Sequence, residues 1–232
     1  MTGNPSPSAS GHAPRTKADV FAFFELLAQD NPDPASELTY GNDYQLLVAV
    51  VLSAQATDAG VNRATRELFR TVATAEDMLE LGEAGLKQHI RTIGLFNTKA
   101  SNIMALSAML IERHNGRVPQ DRDALVALPG VGRKTANVVM NCAFGMETFA
   151  VDTHVFRVAN RTGLARGKTP DAVELKLDKL VPQPFRMGAH HWLILHGRYV
   201  CKARTPECWR CVVKDLCGYK HKVLEPRGRS AT

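Results

Sequence analysis

This sequence predicts an all-α fold on three grounds. Apolar residues recur at helical spacing in one segment after another, capping residues stand ahead of several of those segments, and no stretch alternates apolar and polar residues convincingly as a half-buried strand would. Val20, Phe23, Phe24 and Leu27 form the first apolar stripe, which Asn31-Pro32-Asp33-Pro34 ends. Asp43 is placed to cap a second helix running through Val51, and Asp58 a third with Val61, Thr65 and Leu68 on one face. Shorter helices are expected around 75 to 81 and 83 to 92, then a longer one from Thr98 to His114 closed by Asn115-Gly116. Asp121 to Leu128 and Arg133 to Phe144 read as the two arms of a helical hairpin. Helices are expected after them over Thr153 to Arg161, Asp171 to Leu180 and Phe185 to Val200. No repeat of fixed period is found.

Composition narrows the function classes. With 232 residues the chain can bury one sizeable core or two small ones, and a hydrophobic fraction of 44% excludes a disordered protein. A net charge of +6 and a pI near 9.2 fit a polyanionic partner without requiring one. No apolar run reaches membrane-spanning length. Residues 1 to 16, rich in Ser, Pro and Gly, read as a flexible tail lacking the apolar core of a signal peptide, so a cytoplasmic protein with no membrane partner is expected.

The most informative segment is Leu128-Pro129-Gly130-Val131-Gly132-Arg133-Lys134-Thr135-Ala136. Gly130 and Gly132 lack a Cβ, so the loop can turn tightly and point consecutive N–H groups outward at the start of a helix whose dipole favours an anion. Pro129 fixes the chain just before the turn. The backbone of Gly130, Val131, Gly132 and Arg133 is therefore a candidate grip on a DNA phosphate. Lys134 falls in the first turn of the same helix, where the positive end of the dipole, helped by any desolvation, favours the neutral amine that Schiff-base chemistry needs. The alternative for these residues alone is an ordinary helix-turn-helix with a solvated lysine.

Further on stands Val151-Asp152-Thr153-His154-Val155. A carboxylate at Asp152 would supply the base or cation stabiliser that such an amine needs, and Asp152 also suits the N-cap of the helix that follows. Both roles can hold at once. His154 reads as a packed or hydrogen-bonding histidine.

Cys201, Cys208, Cys211 and Cys217 follow a C-x6-C-x2-C-x5-C spacing. A zinc site would more usually present two C-x2-C knuckles, and disulfides suit a secreted chain better than this one. A [4Fe–4S] cluster held by the four thiolates fits best, with zinc as the alternative. Cys142 is left over, in the apolar stretch from Val138 to Phe144, and reads as a small buried hydrophobe. Lys202, Arg204 and Arg210 lie within or beside the cysteine spacings and could meet phosphates.

Together these features resemble the endonuclease III family of DNA glycosylases, within the helix-hairpin-helix superfamily. The resemblance runs from about Val20 to Cys217. It passes through Leu52-Ser53-Ala54-Gln55-Ala56-Thr57-Asp58, Gly94-Leu95-Phe96-Asn97-Thr98-Lys99-Ala100, the hairpin at 128 to 136, the Val-Asp-Thr-His segment and all four cysteines. It implies a two-domain fold with a cleft: 17–35 and 148–218 as a discontinuous cluster domain, 36–147 as a six-helix domain containing the hairpin, and 219–232 as a basic tail. It also implies a base excision repair enzyme that acts as a monomer on damaged double-stranded DNA, excising oxidised pyrimidines and nicking the strand.

On that reading Lys134 attacks C1′ of the flipped nucleoside, Asp152 assists, and β-elimination then expels the 3′ phosphate. The resemblance nominates Gln55 to meet the widowed base and Leu95 to wedge between steps. Asp58 and Asn137 are candidates for the lesion pocket. Two rivals remain. An adenine glycosylase acting on mispairs shares the hairpin, the aspartate and the cysteines, but such enzymes characteristically have a serine or other residue in place of Lys134, carry a glutamate where this chain has Ala49, and extend into a further C-terminal domain. Only fifteen residues follow Cys217 here. A noncatalytic DNA-binding module would use the hairpin but leave Lys134 and Asp152 without a task.

Overall fold

The computed structural model describes residues 11–226, and among them there are helices and turns but no strand. Positions 1–10 and 227–232 of the two expected tails lie outside the described residues. The chain forms two compact units, one from Met1–Ala35 with Val151–Thr232 and the other from Ser36–Ala150.

In the unit Ser36–Ala150, the central element is α2, Asp43–Leu52, whose residues from Tyr44 to Leu52 are all buried. A helix apolar on every side must be surrounded, and α2 packs on α3 (Asp58–Thr71), α5 (Phe96–His114) and α7 (Arg133–Phe144). Its buried polar residue is satisfied: Gln45 Nε2 donates to the carbonyls of Phe69 at 2.9 Å and Val72 at 2.8 Å, while Oε1 accepts from Gly41 N–H.

The caps of α2 and α3 sit one residue earlier than expected. An N-cap must accept from the amide three residues on, and Asn42 does so from Gln45 N–H, Thr57 from Gly60 N–H. Asp43 and Asp58 instead open their helices, where their charge meets the positive end of the dipole. α4 runs Ala75–Ile90 but breaks at Gly82, whose φ of 71° and ψ of 164° leave the helical region, so two short helices meet there, the second ending at Ile90. α5 starts two residues earlier than expected and ends in left-handed Asn115. α6 is only Arg122–Val126, stopped before Pro129 and capped by Asp121.

The other unit contains α1 (Lys17–Asp30), α8 (Thr153–Thr162), α9 (Pro170–Leu180) and α10 (Ala189–Tyr199). α10 packs on both α1 and α8. Gly197 permits the second contact, because a Cβ there would meet His154 Cβ at 2.9 Å. At the first, Phe185 lies 5.0 Å from Phe21 and 6.1 Å from both Phe24 and Trp192, and Trp192 Nε1 donates to Asn31 O, the C-cap of α1.

The helix expected over 185–200 is split here: a single 3-10 turn at Gln183–Phe185 precedes α10. Gly188 stands between them, where a Cβ would meet the Trp192 ring at 2.9 Å and Pro34 at 3.0 Å. Residues 11–16, which the sequence assigns to the tail, are held in place. His12 N–H donates to Asp215 O at 3.1 Å, and Ala13 lies against Gly163 and Gly218.

Candidate active site and cluster site

The hairpin loop is shaped by its own backbone. Val131 N–H donates to Leu128 O at 3.1 Å, closing the turn, and both side chains are buried as its apolar plug. Gly130 is required twice over: its φ is +78°, and a Cβ would stand 3.0 Å from Asn102 Cβ and Nδ2 on α5. Gly132 differs, since its Cβ would enter open space. It is the N-cap of α7 and supplies no side-chain acceptor, so the positive end of that helix carries no side-chain cap. Lys134 is the second residue of α7 and is exposed. Asn137, a turn further on, is fully buried: its Nδ2 donates to Phe149 O at 3.1 Å. It ties α7 to the segment that follows, since Thr148 Oγ1 also donates to its carbonyl at 2.6 Å.

Gln55 and Leu95 are both exposed, and both have left-handed backbones, with φ of 55° and 60°. Such a conformation strains a residue with a Cβ by about 1–2 kcal/mol. The third non-glycine residue of this kind among those described, Asn115, is a helix C-cap where the conformation is ordinary. Leu95 is also the N-cap of α5, a position for which leucine offers no acceptor, and it is 61% exposed. Lys99, one turn into α5, is buried, and its Nζ donates to Leu52 O at 2.9 Å and Ala54 O at 2.6 Å. Sequence reading gave this lysine no separate role. Its burial opposite main-chain carbonyls leaves no trace in residue type or spacing.

Asp152 caps α8, its Oδ1 accepting from His154 N–H and Val155 N–H, both at 2.8 Å. Oδ2 makes no hydrogen bond among the described residues, and the side chain is half-buried. Nδ1 of His154 lies 3.1 Å from an Arg157 nitrogen, and Arg157 also donates to Gly197 O and Cys201 O. Lys134 belongs to the unit Ser36–Ala150 and Asp152 to the other.

Cys201, Cys208, Cys211 and Cys217 line one cavity together with Arg161, His196 and Tyr219. α10 ends at Tyr199, and the chain then turns back, with Cys201 N–H donating to His196 O and Glu207 N–H to Val200 O. Single 3-10 turns at Cys208–Arg210 and Lys214–Leu216 separate the last three cysteines, and Val213 is the one fully buried apolar side chain of the loop. Burial pushes the Cys211 thiol up to about 12, and the neighbouring Cys217, Cys201 and Cys208 add to the shift. Several thiolates can share this volume only with a cationic guest, so the donor set fits a multi-iron cluster. Arg161 NH1 lies 3.6 Å from Cys201 Sγ, and His196 Nε2 lies 3.6 Å from Cys211 Sγ.

Of the basic residues near the cysteines, Lys202 and Arg210 both bond the Glu207 carboxylate, at 2.5 and 2.6 Å, while Arg204 is exposed. Cys142 stands apart, half-buried against the core of the unit Ser36–Ala150, and burial pushes its thiol up to about 11. No helix among the described residues is long and apolar enough to cross a membrane.

Comparison with known proteins agrees with this inventory. Residues 48–183 match the model of the HhH-GPD superfamily of base excision DNA repair proteins, and residues 201–217 match that of the iron-sulfur binding domain of endonuclease III. Endonuclease III of Rickettsia conorii is 60% identical over 200 residues, 86% of this chain and 95% of that protein. Endonuclease III of Escherichia coli K12 is 56% identical over 207 residues, 89% of this chain and 98% of that protein. A solved structure of a trapped covalent endonuclease III–DNA intermediate superposes with a TM-score of 0.82 at 47% identity, covering 88% of this chain and 96% of that one.

Proposed function

This chain belongs to the endonuclease III family of HhH-GPD base excision DNA repair proteins, and from that premise we propose that Lys134 is its nucleophile and Asp152 its assisting carboxylate. The protein is a DNA glycosylase with lyase activity toward abasic sites, and it carries a [4Fe–4S] cluster.

The observation that carries the assignment is the placement of Lys134: an exposed amine in the first turn of a helix with no side-chain cap, directly after a glycine turn. The N–H groups of Gly130, Val131, Gly132 and Arg133 take a backbone phosphate, which sets the register of the duplex beside that amine. A flipped nucleotide then presents C1′ to the nitrogen of Lys134. The amine attacks C1′, the damaged base departs with the glycosidic electron pair and takes up a proton, and the nitrogen gives up a proton to the ring oxygen as the C1′–O4′ bond breaks, which opens the sugar and leaves a protonated imine. Asp152 accepts a proton in this sequence or stabilises the cation, through the oxygen that its cap bonds leave over. Loss of the C2′ proton expels the 3′ phosphate by β-elimination. Gln55 and Leu95 fill the space the nucleotide vacates, one against the unpaired base and one between base steps.

Cys201, Cys208, Cys211 and Cys217 are the ligands of the cluster. When bound, the cluster supplies four metal–sulfur bonds that fix a loop with little apolar surface of its own. Arg161 directs an N–H group at the sulfur of Cys201, and His196 Nε2 lies beside that of Cys211. The substrates are oxidised pyrimidines in duplex DNA, and the enzyme works as a monomer in the cytoplasm. Against a mispair-specific adenine glycosylase stands Ala49, buried within α2, which offers no carboxylate at the position where such enzymes carry a glutamate.

Borohydride trapping on a duplex with one abasic or oxidised-pyrimidine site tests the reading. The native chain is expected to give a covalent protein–DNA band and Lys134→Ala none. Equal bands from the two proteins, or none from the native chain while it still binds DNA, would remove Lys134 from the mechanism.

A further inference from the structure

We propose that Lys99 is a positioning residue that holds Gln55 and Leu95 in the strained, outward conformations from which they open the duplex. The inference rests on the reading of those two side chains as gap fillers and names what keeps them ready.

One residue reaches both tips. The backbone N–H of Lys99 donates to Leu95 O at 3.0 Å, closing the first turn of α5 on that residue. Its side chain crosses to the other loop, where Nζ donates to Leu52 O at the end of α2 and to Ala54 O, the carbonyl directly before Gln55. A cation at the C-terminal end of a helix is well placed, and Leu52 O is one of the carbonyls a helix end leaves without an intrahelical partner. The loop between the helices is otherwise short: Ala56 N–H donates to Ser53 O, and Thr57 already caps α3. Fixing the carbonyls of residues 52 and 54 therefore leaves residue 55 little freedom.

The cost of this arrangement argues that it serves more than the fold. Lys99 is 5% exposed, and among the described residues no carboxylate is bonded to its ammonium. Desolvation alone holds its pKa below the ordinary lysine range. A methionine of similar length would pack the same space without burying a charge. What methionine lacks is donors that reach two carbonyls across the gap between α5 and α2. Left-handed leucine and glutamine persist only where surroundings over-determine them, and Lys99 meets both positions, its side chain fixing the carbonyl before Gln55 and its backbone closing the first turn of α5 on Leu95.

The test compares Lys99→Met, Lys99→Arg, Gln55→Ala and Leu95→Ala with the native holoenzyme on one abasic lesion, either in duplex or in the same strand alone. Rates of borohydride trapping are read on both. 2-Aminopurine opposite the lesion reports the opening of the duplex by its fluorescence. Lys99→Met is expected to slow trapping on the duplex about tenfold and to lower the 2-aminopurine signal, as Gln55→Ala and Leu95→Ala do, while the single-strand rate is unchanged because no stack has to be opened. Lys99→Arg, which keeps the donors, is expected to retain most of the duplex rate. Should Lys99→Met not fold, Lys99→Gln, whose shorter stem cannot bring a donor to both carbonyls, carries the same comparison. Equal losses on duplex and single strand would make Lys99 a merely structural residue and overturn the proposal. So would a native duplex rate in Lys99→Met beside impaired Gln55→Ala and Leu95→Ala. If neither tip variant shows a duplex-specific loss, the gap-filling reading fails and the proposal falls with it.

Discussion

Arg161 reaches the sulfur of Cys201: its NH1 lies 3.6 Å from Sγ and also donates to Lys202 O at 2.7 Å, while NH2 donates to Ala203 O at 3.0 Å. The same guanidinium lies over the ring of Tyr219, 4.8 Å from its centroid. One side chain from α8 thus grips the cluster loop at and just after its first cysteine and again beyond its last. Arg161→Ala removes both grips and is expected to cost about 2 kcal/mol, after allowance for the partly exposed setting. Denaturant unfolding of the holoprotein measures this. Bleaching of the cluster's visible absorbance by a chelator is expected to speed up in parallel, and an unchanged bleaching rate would show that Arg161 does not hold the loop.

The two hairpin glycines are expected to separate stability from binding. Gly130→Ala forces a Cβ against Asn102 at 3.0 Å in a left-handed backbone and is expected to cost about 2 kcal/mol of stability. Gly132→Ala meets nothing in the free protein, so its cost is that of a poorer N-cap, under about 1 kcal/mol. Its new methyl group stands at the N-terminal end of α7, where the proposed phosphate contact lies, and DNA affinity is expected to fall with stability nearly intact. Thermal melts and fluorescence anisotropy on a lesion duplex decide the pair.

These glycines also show how much the sequence makes legible. Gly130, Lys134, Asp152 and the four cysteines stand out by residue type and spacing, and the structure puts Gly130 in a left-handed turn, Lys134 in the first turn of α7, Asp152 at the N-cap of α8 and the cysteines around one cavity. Most helices were legible as apolar stripes between breakers. The misplaced caps at Asp43 and Asp58 arise because neighbouring Asn42 and Thr57 can cap as well, and only the direction of the chain entering the helix selects between them. The break at Gly188 was hidden because it depends on Trp192 and Pro34 from elsewhere in the fold. The left-handed conformations of Gln55 and Leu95 were not legible at all. Glycine or asparagine would have signalled them, and neither is present.

Burial pushes the His191 imidazole down to about 4, from an ordinary value of 6.5. A neutral folded histidine and a protonatable unfolded one differ in bound protons only between those values. The contribution is therefore fully present above pH 6.5 and lost progressively as pH falls toward 4. Its size is about 3 kcal/mol at most, with stability rising with pH across the window. His191→Gln, with no titrating ring, is expected to flatten that part of the stability curve measured by urea unfolding from pH 7 to 4. A slope identical to the native protein's would mean that other groups produce the acid lability.

Asp152 is observed as a helix cap and proposed as the assisting carboxylate, and one substitution can divide the two. Capping needs only an acceptor oxygen, since Oδ1 takes the N–H groups of His154 and Val155 whether or not the group is charged. Catalysis needs the charge, because an amide can neither accept a proton from the attacking amine nor stabilise a cation to the same degree. Asp152→Asn is therefore expected to melt within about 0.5 kcal/mol of the native protein, as good caps interchange, while trapping on an abasic duplex slows by about a hundredfold or more. Asp152→Ala loses the cap too and is expected to cost about 1 kcal/mol besides. A trapping rate in Asp152→Asn equal to the native one would confine this residue to the helix end. A loss of rate matched by a loss of stability would mean that the damage is to the start of α8 and not to the chemistry.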